Sequence, residues 1–310
     1  MATLHSYELQ GKKLSFANWI SNIVPTDTPF TSMTAKETIK NTLYSWQIDT
    51  LATPDAANAQ LEGSSVVDAT HTPTVEKDGY TQILRKVVNV SDSAQALDNY
   101  GRESETAYQM EKASKEIKRD LETILLSAQT KQLASNVAPG KTDGYQALIA
   151  APNVADVATG AVVNKVTATT GVITEAELFD LTYNLYLAGS EANIIMFHPE
   201  QASFLASLAE TPAAGQSRFK MFDGLDDKYN KYVSSIVDPL GQEFKLVPNR
   251  FMPKGVFYFL NPKDWTQMVL RTPEKIQLDK KGSFEQYMIE MEVGLRHRNP
   301  YASGMLKIKV

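Results

Sequence analysis

No cysteine occurs among the 310 residues, which excludes disulfides, thiolate nucleophiles and thiolate metal sites together and suits a reducing compartment. Long hydrophobic runs are also missing. The most apolar stretches, Asn193–Phe197 and Val256–Leu260, fall far short of the roughly 20 residues a membrane helix needs, and the opening MATLHSYELQGKKLSF has no apolar core of a secretory signal. The expectation is a protein that is soluble and cytoplasmic when made, with no membrane partner. A surplus of positive charge is absent too: the net charge of −5 argues against a dedicated nucleic-acid binder, which is usually basic over at least a domain. Histidine is scarce, and the four present are scattered singly.

Catalytic signatures are equally sparse. Pro139-Gly140-Lys141-Thr142 matches the end of a phosphate-binding loop, but Ser135 stands where the pattern requires glycine, and the segment follows a helix rather than a strand. It reads as a helix-terminating turn. His198-Pro199-Glu200 has no further ligands at workable spacing and reads as a strand-to-helix junction, with Glu200 near a helix N-terminus. The pairs Asp226–Asp227 and Glu290/Glu292 read as solvated surface charges. No nucleophile elbow, zinc-binding helix or dinucleotide fingerprint occurs, so no catalytic residue, cofactor or metal is expected.

What is present is ordinary globular material, 43% hydrophobic and 22% charged, in a chain long enough for one large domain or two smaller ones. Residues 1–40 are an exception. Trp19 and Phe30 need something to pack on, yet Pro25 and Pro29 break any element, leaving a short helix at about Phe16–Val24 and an extended segment. Asn41–Thr50 and Tyr80–Val90 read as strands rich in aromatic and β-branched residues. Between them, Leu51–Gly79 is dominated by Ala, Thr, Ser, Asp and Pro. So long a connection with so little to bury is either a flexible surface loop or a β-excursion that orders against another subunit.

Asp98–Ala134 carries the clearest periodicity. Met110, Ala113, Ile117, Leu121 and Leu125 recur at helical spacing while charges take the other faces, which predicts a helix of about 30 residues and roughly 45 Å. Its lysines are interleaved with acids, so it is no basic stripe. A looser stretch follows to Gly171. A helix then spans Thr174–Ala188, opened by the capping pattern of Thr174 and Glu177. Ala192–Phe197 reads as a buried strand and Pro199–Ala209 as a helix begun by proline. Strands are expected at Tyr232–Val237, Glu243–Val247, Val256–Leu260, 284–295 and 303–310, with turns at Asp238–Gly241 and Asn299–Pro300. The class is α+β, with no internal repeat.

Three co-linear stretches resemble the major head proteins of tailed bacteriophages with the Hong Kong 97 fold (the Johnson fold), and more narrowly the SU-ten-like group. They are Ile23-Val24-Pro25-Thr26-Asp27-Thr28-Pro29-Phe30; then Trp46-Gln47-Ile48-Asp49, Leu51-Ala52 and Glu62-Gly63; and finally Val247-Pro248-Asn249-Arg250-Phe251-Met252-Pro253, Glu290–Leu295, Asn299-Pro300 and Ala302-Ser303-Gly304. The resemblance covers nearly the whole chain. It implies an N-terminal arm (1–40) and an extended β-hairpin loop (41–90). It implies a peripheral domain (91–165) with a spine helix at about 98–134, an axial domain (166–265), and a return to the peripheral domain (266–310).

The implied function is a major capsid protein, not an enzyme, that self-assembles as pentamers and hexamers into an icosahedral head around double-stranded DNA. Inter-subunit contacts are expected at Trp19, Phe30, Trp46 and Asp49. The arm motif begins within about 25 residues of Met1, which leaves no room for a cleaved internal scaffold. The implied partners are therefore further copies of the chain, a separate scaffolding protein and a portal, with a decoration protein left open and only weak, non-specific contact with packaged DNA. Some relatives join lysine to asparagine covalently, for which Lys77 or Lys86 and Asn299 are candidates in kind. The competing readings are a tail-tube or decoration subunit, or a cytoplasmic enzyme with an unrecognised site.

Overall fold

The computed structural model describes residues 25–52, 54–66, 71, 73–97, 104–149, 154–156, 175–203, 205 and 233–307. The expected helix at Phe16–Val24 and the pair Asp226–Asp227 lie outside them. The chain enters through a short helix, α1 (Pro29–Met33), with proline in its first turn where a missing N–H is harmless. Two strands follow, β1 (Ala35–Thr38) and β2 (Leu43–Ile48). The next pair is β3 (Val75–Tyr80) and β4 (Gln82–Ser91). The sequence reading made Tyr80–Val90 one strand after a loop. Instead β3 pairs antiparallel with β2 as a two-stranded ribbon, while β4 joins a different sheet, with buried Thr81 as the pivot.

After α2 (Asp92–Ala96) comes α3 (Glu105–Leu125), capped by the Ser104 hydroxyl, which accepts from the Ala107 N–H at 3.3 Å. At 21 residues it is about 32 Å long, shorter than expected. Residues 98–103 are not among those described. At the other end the Ser127 hydroxyl donates back to the Ile124 carbonyl at 2.7 Å, and residues 126–144 turn into loop. The buried stripe Met110, Ala113, Ile117, Leu121 and Leu125 is the one the periodicity marks.

The rest is α4 (Tyr145–Leu148), β5 (Val154–Asp156), α5 (Glu175–Leu187) and strands β6 (Ile194–Phe197), β7 (Ser235–Val237), β8 (Glu243–Pro248), β9 (Val256–Leu260), β10 (Trp265–Leu278), β11 (Phe284–His297) and β12 (Gly304–Lys307). Gly241, at φ +84°, closes the β7–β8 turn in a conformation that side-chain-bearing residues rarely adopt. Pro199–Gln201 is a 3-10 turn that continues into helix at Ala202 and Ser203.

These strands make a four-stranded sheet, β1-β10-β11-β4, and a six-stranded sheet, β5-β12-β9-β6-β8-β7. The inner face of the first packs against α3, and α5 lies with the second. Strand β9 couples the two hydrophobic cores: Val256, Tyr258 and Leu260 point into one, Phe257 and Phe259 into the other. Such a strand is apolar at every position because both its faces are covered.

Candidate assembly surfaces

The β2–β3 ribbon leaves the body at a root built around one tyrosine. The Tyr44 ring sits where neither Gly79 nor Gly294 could carry a side chain: a Cβ would come within 2.6 Å of the ring at Gly79 and within 2.5 Å of its hydroxyl at Gly294. The Tyr44 hydroxyl donates to the Leu295 carbonyl at 2.8 Å, and burial pushes its pKa up. On the next strand, β3, the Asp78 carboxylate is held at 2.6 Å by Lys131, which reaches it from the loop after α3. Trp46 stacks on Tyr44 with centroids 6.1 Å apart, and its buried Nε1 has no hydrogen-bond partner among the described residues. Between ribbon and body lies an open groove of about 810 Å³, with Trp46, Ile48, Asp49, Leu148 and Tyr301 in its walls.

Beyond Ile48 the chain buries almost nothing of its own: Leu51 is 98% exposed, Leu61 84% and Val66 96%. Asp49 is also exposed, with its carboxylate accepting the Thr50 N–H at 2.9 Å. Of the expected contact residues, the structure brings Trp46 and Asp49 together on the ribbon, and Trp19 lies outside the described residues. Phe30 requires a correction as an inter-subunit contact. It is fully buried in its own subunit, edge-on to Tyr145 at 6.2 Å and Trp265 at 5.8 Å. It is held there by Glu122, whose carboxylate accepts the Phe30 and Thr31 N–H groups at 2.8 Å each and Asn249 Nδ2 at 2.6 Å. Burial pushes the Glu122 pKa up, and those donors partly offset it.

Glu290 and Glu292 are likewise not solvated. They are 7% and 6% exposed beneath the partly exposed Arg85 and Arg271, with Arg85 Nε at 2.7 Å from Glu290, Arg271 Nε at 3.0 Å from Glu292 and the Thr81 hydroxyl at 2.6 Å from Glu292. Burial alone would raise the Glu290 pKa, but the hydrogen bonds from Arg85 and Arg271 prevail and hold it below the usual carboxylate range. Alternation along β11 hid this, because the face opposite α3 looks polar in sequence while its carboxylates are covered by arginine stems.

His198 and Glu200 form the junction expected of them. His198 Nδ1 accepts the Glu200 N–H at 3.2 Å, and a hydrogen bond from Lys254 at 2.9 Å keeps the Glu200 carboxyl low. Pro139–Thr142 lies in a loop closed by the Gln132–Lys141 bridge. Among the described residues no three His, Asp or Glu side chains gather as a metal-ligand set. Lys86 is engaged by Asp120 at 2.7 Å, whereas Lys77 and Asn299 are exposed. The ribbon's second strand and its glycines escaped the sequence reading. Their only signal was the Asp78-Gly79 pair inside a polar stretch.

A long helix across one sheet, a second sheet sharing the core and a projecting two-stranded ribbon define the class: this is the Hong Kong 97 fold of capsid shells. The chain superposes on the capsid subunit of a native GTA particle with a TM-score of 0.66 at 11% identity, covering 98% of each chain. It superposes on a chain of Microbacterium phage Oxtober96 with a TM-score of 0.62 at 12% identity, covering 99% of each. The sequence belongs to the SU10 major capsid protein family, whose model matches residues 3–309. It is 48% identical to the major capsid protein of Escherichia phage Phieco32, over 97% of this chain and 95% of that one. The chain is thus a phage major capsid protein, a subunit of the icosahedral shell of the virion.

Proposed function

We propose that the chain acts through geometry, without catalysis, and that residues 43–80 are the element by which one subunit lays hold of the next within pentamers and hexamers. The carrying observation is the near-complete exposure of Leu51, Leu61 and Val66 on a ribbon whose root is rigidly fixed by Tyr44, Gly79 and Lys131. A rooted arm with an unburied tip gains its ordering energy from another molecule. On this reading 1–40 is the N-terminal arm, 41–90 the extended loop, 91–165 with 266–310 the peripheral domain around α3, and 166–265 the axial domain. A separate scaffolding protein and a portal complete the assembly, and contact with packaged DNA is weak, as the charge balance favours.

Replacing residues 49–74 by a two-residue Asn-Gly turn joins Ile48 to Val75 in the existing antiparallel register. The expected product is a folded subunit with an unchanged melting temperature that forms no shells. Regular shells from the shortened chain, seen by electron microscopy, would contradict the proposal.

A further inference from the structure

Helix α1 does not cap itself. Pro29 has no N–H, the Ser32 N–H already reaches the Thr28 carbonyl at 3.1 Å, and the Thr28 side chain makes no capping hydrogen bond. The Phe30 and Thr31 N–H groups are therefore the orphan donors of this helix, and both go to one distant carboxylate, Glu122 of α3. Five residues cannot hold a helix by themselves, so α1 stands where other elements put it. At its far end Gln267 Nε2 donates to the Thr31 carbonyl at 2.9 Å and to Thr34 Oγ1 at 2.6 Å.

Glu122 faces a third donor, from another part of the fold. Asn249 stands just after β8, where its N–H donates to the Phe197 carbonyl at 2.8 Å and its Oδ1 accepts the Phe251 N–H at 2.9 Å. Its Nδ2 donates to Glu122 Oε1 at 2.6 Å. Glu122 and Asn249 are 0% and 1% exposed, and no lysine or arginine pairs with Glu122 among the described residues. Three N–H groups are left to stabilise a buried carboxylate. Removing one strands a buried acceptor on one side or a buried donor on the other, so the clasp is made and broken as a unit.

We propose that Glu122 and Asn249 are positioning residues for the N-terminal arm: they gear α1, the root of the arm, to the β8–β9 turn of the six-stranded sheet. A shift of that sheet against α3 then reaches the arm as a change in its point of departure. Asn249 makes no hydrogen bond to α1 and acts on it only through Glu122. The proposal rests on the reading of residues 1–40 as an arm that serves assembly, and it adds what sets the root of that arm.

Hydrogen exchange of the full-length subunit, read by mass spectrometry, tests the gear. In the native chain, peptides covering 28–34 and 249–252 should open together, with equal protection and the same response to mild urea. Independent opening of the two overturns the proposal without any variant. Asn249→Asp keeps an acceptor for the Phe251 N–H but sets a carboxylate against Glu122. It should speed exchange in 28–34 about tenfold or more, the effect of losing a charge-assisted hydrogen bond. Glu122→Gln, which turns an amide N–H toward the same donors, should do likewise. Native protection of 28–34 in either variant, from subunits that keep their protection over 110–121 and 256–260, overturns the gear.

Shell assembly separates this failure from failure of the arm reading. The expected result is a several-fold drop in regular shells from both variants. A loosened α1 with regular shells at native yield overturns the arm reading, and the proposal with it. An unchanged α1 overturns the clasp alone, whatever the shells do.

Discussion

His297 is a base shut away from water. It is fully buried, its ring stacks on Trp265 with centroids 4.1 Å apart, and the Ser303 hydroxyl, which takes the Trp265 indole N–H at 3.0 Å, lies 3.0 Å from Nε2. Burial drives its pKa down from 6.5 to about 3, against a smaller opposing effect of the Leu148 carbonyl. The sign follows: between these values the unfolded chain binds a proton that the folded one refuses, so stability is whole above pH 6.5 and falls as pH drops toward 3. The full loss is about 5 kcal/mol at ~1.4 kcal/mol per pKa unit. Urea denaturation from pH 7 to 4 should show a steeper loss for the native chain than for His297→Phe. Equal slopes would remove His297 from the account. As a lone histidine in sequence it carried no hint of this, because its meaning comes from Trp265 and Ser303, which only the fold brings to it.

At the scale of elements, legibility followed burial. Strands β6 and β9, apolar on both faces, stood out as runs, and the buried stripe of α3 was plain in its spacing. Strand β10 was not seen. Its first five residues lie in the core, but Arg271-Thr272-Pro273-Glu274-Lys275 is exposed and contains proline, and β10 is held there by pairing with β11 rather than by its own pattern. The helix was over-read at its C-terminal end because good helix formers continue past Leu125, where Ser127 turns the chain. The ribbon root was illegible because it depends on glycines more than two hundred residues apart flanking one ring. This root permits a sharp prediction. Gly79→Ala forces the Tyr44 ring out of its slot, an overpacking strain of about 1–3 kcal/mol. It should lower the melting temperature modestly while re-aiming the ribbon, so that shell yield drops more than stability does. Undiminished shells beside a lowered melting temperature would show that the ribbon's exit angle is not set here.

For the whole molecule, the distinction that sequence could not draw is which aromatics serve the subunit and which serve the shell. Phe30 and Trp46 both sit in stretches that look anchorless, and one of them is a core residue. The difference lies in what surrounds each: Phe30 is enclosed by Tyr145, Trp265 and the Glu122 clasp, whereas Trp46 is half-buried, stacked among the described residues on Tyr44 alone, on a ribbon that contributes no residue to either core. The two truncations should therefore fail at different stages. Phe30→Ala opens a cavity in the main core and costs about 3–5 kcal/mol, so the subunit itself melts earlier and little soluble protein reaches assembly. Trp46→Ala removes one stacked pair, about 1 kcal/mol, and leaves the monomer's unfolding curve close to that of the native chain. Its deficit should appear only when subunits are asked to close a shell, as soluble capsomers or monomers in place of particles on sucrose gradients. If Trp46→Ala gives normal particle yield, or if it unfolds the monomer as severely as Phe30→Ala, the ribbon is not the element that makes one subunit depend on the next.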